Sequence, residues 1–256
     1  MQTFRVKLHD NGPALWPALK PTEQVLELQA TTPEDTWETT YQGNPTPPGG
    51  SVFRRAWWIG QNRYDPADRG LVNSCVARWM SWDTGLKDKE SSAFSACCVA
   101  ELWPDYRLAL RYVYRDRLEF PALPAEMERL ARKFNRDEKL RGILIEDKAS
   151  GTSAYQTLSA SAPDWLKPLL VAFMPIGDKV TRAKQAAVWC KNDCVQLPHP
   201  PSVPPTRGEV SWLLDFEDEL FDFPNSAFMD QVDALSQLII YVENLLAEGW
   251  RARRAR

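Results

Sequence analysis

The run Gly142-Ile143-Leu144-Ile145 is wholly apolar and stops at Glu146-Asp147. So short a run, without polar alternation, reads as a strand buried on both faces. Such a strand belongs in the centre of a sheet covered by helices. The apolar run from Val76 to Trp82 ends the same way, in Asp83. A third acidic cluster, Asp230 and Asp233, lies in Phe228-Met229-Asp230-Gln231-Val232-Asp233-Ala234-Leu235. Carboxylates at the ends of buried strands cost free energy unless something neutralises them. A pair of divalent cations is the simplest neutraliser, and oxygen-only ligands suit magnesium or manganese. That combination points to metal-assisted cleavage of a phosphodiester.

The remaining pattern is α/β. Residues 76–83 read as a buried strand, and 93–103 with 107–115 as a hairpin turning at Pro104-Asp105-Tyr106. Residues 124–135 are helical, with Met127, Leu130, Ala131 and Phe134 on one face. Strands at 142–147, 169–174 and 195–197 alternate with helices at 151–160 and 178–189, and helices at 209–221 and 226–247 close the chain. Three hairpin-like strands, then helix, strand, helix, strand, is the order of an RNase H-like mixed sheet flanked by helices. Parallel crossovers then set the end of the first strand beside the end of the fourth, so Asp83 and Glu146-Asp147 become neighbours.

Residues 1–70 read differently. Two short helical patterns, 22–30 and 33–41, precede Asn44-Pro45-Thr46-Pro47-Pro48-Gly49-Gly50, a turn-rich linker unsuited to helix or central strand. The expected organisation is an arm over 1–70, a catalytic domain over 71–250 and a basic tail over 251–256. Trp57 and Trp58, after Arg54-Arg55, are placed to pack the arm on the domain.

Composition narrows the chemistry. With 256 residues, 44% of them hydrophobic, the chain can build a substantial core. Its formal net charge of -3 gives no bulk basic signature. Residues 209–233 hold eight acids and no Lys or Arg, whereas the chain ends Arg251-Ala252-Arg253-Arg254-Ala255-Arg256. The five cysteines are odd in number and form no CxxC pair, which fits a reducing compartment; Cys190, Cys194 and His199 lack a fourth zinc ligand. The two histidines, His9 and His199, both lie in loop-like segments, which argues against histidine-based catalysis. No run approaches the ~18 apolar residues of a membrane span. Neither GxSxG nor GxxxxGK[ST] occurs.

Each acidic cluster has a local alternative. Asp83-Thr84-Gly85 makes a good turn, Glu146-Asp147 can cap the helix that follows, and Asp230 or Asp233 can cap a first helical turn. Asp230 and Asp233, three apart, share a helix face beside the stripe Val232, Leu235, Ile239 and Val242. Strand alternation puts Glu146 and Asp147 on opposite faces, so one of them enters a site from regular geometry. Asp83 is the candidate to bridge two ions, and Glu90 is a further candidate for an outer position. Lys148 stands beside the acids, and Lys179, Arg182 and Lys184 are candidate phosphate contacts or a solvated helix face.

Several stretches together resemble the C-terminal nuclease domain of a large terminase subunit from a tailed phage or prophage. They are Ser81-Trp82-Asp83-Thr84-Gly85, Ser91-Ser92-Ala93, Ile145-Glu146-Asp147-Lys148-Ala149-Ser150-Gly151-Thr152, Lys179-Val180-Thr181-Arg182-Ala183, Phe223-Pro224-Asn225 and Asp230-Gln231-Val232-Asp233-Ala234. Residues 37–53 are similar to the segment after that family's motor domain. The resemblance implies an RNase H-like nuclease that uses two Mg2+ or Mn2+ ions to cut concatemeric viral DNA during packaging. It implies catalytic acids at Asp83, at Glu146 or Asp147, and at Asp230 or Asp233. Where many relatives carry His-Asp-Asp, this chain has Phe228-Met229-Asp230. The implied partners are double-stranded DNA, the terminase ATPase domain, the small terminase subunit and the portal protein. The implied setting is the host cytoplasm rather than the mature virion, with the isolated domain a monomer. Two other readings compete. One is a resolvase- or integrase-like nuclease on the same fold; the other is a non-catalytic module docking on portal or small subunit.

Overall fold

The computed structural model describes residues 21–31, 51–85, 94–118, 122–147, 150–199 and 210–254. Two compact units divide at Ser51/Val52. The described part of the first is helix α1 (Thr22–Thr31).

The second unit is built on a seven-stranded mixed sheet. In chain order it contains β1 (Arg63–Tyr64), α2 (Arg69–Asn73), β2 (Ala77–Asp83), β3 (Ser95–Leu102), β4 (Leu108–Asp116), α3 (Ala122–Phe134), β5 (Leu140–Glu146), α4 (Ser150–Ser161), β6 (Leu170–Phe173), α5 (Lys179–Lys191), β7 (Val195–Pro198), α6 (Leu213–Asp222) and α7 (Asp230–Arg254). The strand order is β1-β7-β4-β3-β2-β5-β6. Strands β2, β3 and β4 form an antiparallel meander, while β5 joins β2, β6 joins β5 and β7 joins β4 in parallel. This is the expected RNase H-like order, and β2 and β5 lie side by side.

Strand parity separates two hydrophobic layers. Met80, Trp82, Cys97, Val99, Ile143 and Ile145 face one side and pack with Leu123, Met127 and Leu130 of α3 and Ala154 and Leu158 of α4. Trp79, Ala96, Cys98, Ala100 and Leu144 face the other and pack with Ala183 and Ala186 of α5, Phe216 of α6, and Val232, Leu235 and Ile239 of α7. All seven residues of β2 and all eight of β3 are buried, as strands covered on both faces must be.

Three expected boundaries differ. Residues 52–70, read with the arm, fold into the second unit: Phe53 and Trp58 are buried in its core, and β1 pairs with β7. The Trp58 indole N–H donates to the Val195 carbonyl at 2.9 Å, so burial of two aromatics outweighs the proline-rich approach to this segment. Helix α7 begins at Asp230, not 226, and runs through Arg254, so four residues of the expected basic tail continue the helix. Strand β6 is an edge strand and only partly buried.

The pairing of β5 with β2 fixes the level of the acids. Trp82 pairs with Ile145, so Asp83 and Glu146 follow at the same height on adjacent strands. Gly151 lies so close that a Cβ there would stand 1.9 Å from the Glu146 carbonyl oxygen and 3.0 Å from Thr84 Oγ1. Backbone cannot yield as a flexible side chain does, so Gly151→Ala is expected to cost about 2–4 kcal/mol. Urea unfolding monitored by tryptophan fluorescence checks this; a loss under about 0.5 kcal/mol would contradict it.

Candidate metal centre

Asp83 ends β2, Glu146 ends β5 and Asp233 stands one turn into α7. One carboxylate oxygen from each lies within 4.8 Å of the others, and all three side chains are buried. The layer parity explains the first two. Asp83 follows Trp79 and Ser81, and Glu146 follows Leu144, so both face α7. Asp147 has the parity of Ile143 and Ile145 and faces the α3–α4 side, where Thr152 Oγ1 donates to its Oδ1 at 2.7 Å.

Helix α7 brings in the third acid, and its first turn is capped from another helix. Glu219 of α6 accepts through Oε1 from the backbone N–H groups of Gln231 (2.8 Å) and Val232 (3.0 Å). Its Oε2 accepts from Gln231 Nε2 (2.7 Å) and Arg115 Nη1 (3.1 Å). A carboxylate at the positive end of a helix satisfies donors that would otherwise be orphaned. Glu219 fills the capping role that sequence offered to Asp230 or Asp233, which leaves both side chains for the site. Sequence carries no signal for this contact beyond the density of acids in residues 209–233.

Two basic side chains of α5 enter the cluster. Arg182 grips Asp233 with a fork, Nε to Oδ1 at 2.9 Å and Nη2 to Oδ2 at 2.6 Å, and its Nη1 donates to the Gly177 carbonyl at 2.7 Å. Lys179 Nζ donates to Asp83 Oδ2 at 2.7 Å and Asp230 Oδ1 at 2.9 Å. Read from sequence as phosphate contacts or a solvated helix face, both turn inward onto carboxylates; Lys184 is exposed on the same helix. Lys148 and Glu90 lie outside the described residues. Gln237, one turn beyond Asp233, places Nε2 3.5 Å from Glu146 Oε2.

Burial pushes the Asp83 carboxyl well above its usual range; Lys179 opposes the shift, and Glu146 and Asp233 reinforce it. Burial disfavours the Lys179 ammonium, but Asp83, Asp230 and Asp233 outweigh it and hold its pKa above the ordinary lysine value. Such a cluster demands cations. Its donors are all carboxylate oxygens, the set that suits hard divalent ions. Among the described residues no potential ligand group includes Cys190, Cys194 or His199; Cys190 is buried and His199 is exposed.

A family model described as terminase RNaseH-like domain matches residues 80–241. Solved structures that resemble the chain include the large terminase of a thermophilic bacteriophage in complex with ADP, at 11% identity and TM-score 0.47, covering 69% of this chain and 41% of that one. They include the manganese-soaked terminase nuclease domain of human cytomegalovirus, at 10% identity and TM-score 0.49, covering 70% of this chain and 89% of that one. The large terminase nuclease of the thermophilic phage G20c with bound magnesium resembles it at 14% identity and TM-score 0.44, covering 75% and 98%. A search of curated proteins finds no match.

The fork on Asp233 generates a stability prediction. Arg182→Met leaves the buried Asp233 carboxylate only the 3.6 Å contact with Lys179 and is expected to cost about 2–4 kcal/mol, whereas Arg182→Met with Asp233→Leu recovers most of that loss. Denaturant titration of the two variants checks the ordering.

Proposed function

This chain belongs to the family of terminase RNase H-like domains, and we propose that it is the nuclease of a viral packaging motor, cutting concatemeric double-stranded DNA by metal-dependent phosphodiester hydrolysis. The observation that carries this reading is the convergence of Asp83, Glu146 and Asp233 from two strands and a helix.

Asp83, Glu146 and Asp233 would hold Mg2+ or Mn2+, with Asp230 as an outer carboxylate. When bound, two such ions supply activation of a water and stabilisation of the leaving oxygen. Asp83 would be the candidate ligand common to both ions. Arg182 orients Asp233 through two hydrogen bonds, and Gln237 approaches Glu146 from the same helix as Asp233. Asp147, engaged with Thr152 on the other side of β5, is a supporting residue in this reading. The chain spans 41% of the length of the ADP-bound bacteriophage large terminase. We assign the motor ATPase, the small terminase subunit and the portal protein as its partners, and the host cytoplasm as its place of action. Among the described residues no helix is long and apolar enough to cross a membrane.

Supercoiled plasmid incubated with the chain and manganese should be nicked and linearised, and EDTA should spare it. Metal-site stabilisation is worth several kcal/mol, so Asp83→Asn and Glu146→Gln should each lower cleavage at least about a hundredfold. Asp147→Asn should lose less than about tenfold, since it perturbs the contact with Thr152 rather than a ligand. Full activity in Asp83→Asn would overturn the assignment.

A further inference from the structure

The two most exposed large apolar side chains among the described residues stand in one short loop. Met174 is 73% exposed and Ile176 89%, with Pro175 between them, in the connection from β6 to α5. A single exposed apolar side chain is ordinary; two that flank a proline on one loop form an apolar protrusion. Proline fixes its own φ and confines the residue before it to extended backbone, so Met174 and Pro175 have little freedom.

Both ends of this loop are tied to the acid corner. The Asp147 N–H, next to Glu146, donates to the Phe173 carbonyl at 2.8 Å. At the other end Arg182 Nη1 donates to the Gly177 carbonyl at 2.7 Å, while its Nε and Nη2 hold Asp233. Gly177 turns the chain at φ +78°, in the region open to glycine, and Asp178 then caps α5 by accepting from the Thr181 N–H at 2.8 Å. The protrusion is held in place by the same groups that position Glu146 and Asp233.

Its place decides what it meets. Phe173 pairs with Glu146, so Met174 lies one strand spacing, ~4.8 Å, from the chain that leaves Glu146. The grooves that border a phosphate chain are roughly 6 and 12 Å wide, each more than one strand spacing, so a duplex seated on the acids covers this loop. The narrower groove matches the offset. Met, Pro and Ile are also side-chain types that enter the minor groove and part base steps. That groove distinguishes base pairs poorly, so the contact places DNA without reading its sequence in full.

Resting on the nuclease reading above, we propose that Met174-Pro175-Ile176 is an apolar wedge that enters the minor groove of the substrate duplex and opens a base step beside the scissile phosphodiester. Pyrimidine–purine steps part most readily, so cleavage concentrates at them.

Cleavage by the intact chain with manganese tests this, on a linear duplex and on the same duplex carrying a two-base mismatch, with the cut ends mapped by sequencing. The wild type should cut the matched duplex at least about threefold more often at TA and CA/TG steps than elsewhere. Met174→Ser combined with Ile176→Ser should cut the matched duplex about tenfold more slowly and lose the step preference. At the mismatch, where the step is already open, the double variant should return to within about threefold of the wild-type rate. Both substitutions fall on exposed side chains, so the urea midpoint should not move. Wild-type rate and step preference in the double variant would overturn the wedge and leave the nuclease standing, the exposed pair then being a surface for a protein partner. A loss of equal size on both duplexes would also overturn it, because a general disturbance of the site is blind to base pairing. So would even cutting at all steps by the wild type, a result that needs no variant. If the wild type cuts neither duplex, the nuclease reading falls and the wedge with it.

Discussion

The mutual repulsion of Asp83, Glu146 and Asp233 in a water-poor corner is the constraint around which this fold is arranged. Left alone, three such groups would protonate or drift apart. Strand pairing prevents the drift of two of them, because Trp82 and Ile145 are locked in register one residue earlier. The third arrives on a helix whose first turn is held by Glu219, and whose apolar stripe is buried against β2 and β3. Helix α5, packed beside it on the same face of the sheet, then supplies Arg182 and Lys179. Remove any one of these supports and the carboxylates lose either position or compensation.

The opposite end of the same sheet shows what a self-contained ionic cluster looks like. Arg78, at the start of β2, donates from Nε and Nη2 to Glu101 Oε1 at 2.9 and 2.7 Å, and from Nη1 to Asp137 Oδ1 at 2.8 Å. Arg78 also reaches the Phe134 carbonyl, and Arg111 Nε comes within 3.4 Å of Glu101 Oε2. Two arginines meet two acids, and the hydrogen bond from Arg78 holds Asp137 below the usual carboxylate range. That cluster closes on itself and pins β2 to β3 and α3. The acid end instead gathers carboxylates from two strands and a helix.

Much of this was legible in residues 76–147. Short apolar runs ending in acid place two central strands, and their order makes them neighbours. Parity puts Glu146 and Asp147 on opposite faces, but which of them faces α7 emerges only from the layers to which Leu144 and Ile145 belong. What could not be read depends on partners distant in sequence. Lys179 and Arg182 look like a solvated face until α7 lies against α5. The cap from Glu219 is a contact between helices, invisible to any local motif. Trp58 was legible as a packing contact, but Phe53 and Trp58 join the core itself because Phe223 and Val195 are there to meet them.

The two borders of the sheet carry a consequence of their own. Among the described residues, one border is β1, two residues long; the other is β6, four residues long. A neighbouring polypeptide seeking to add a strand needs a longer row of open backbone groups than either provides. Backbone-templated association is therefore poorly served at both margins.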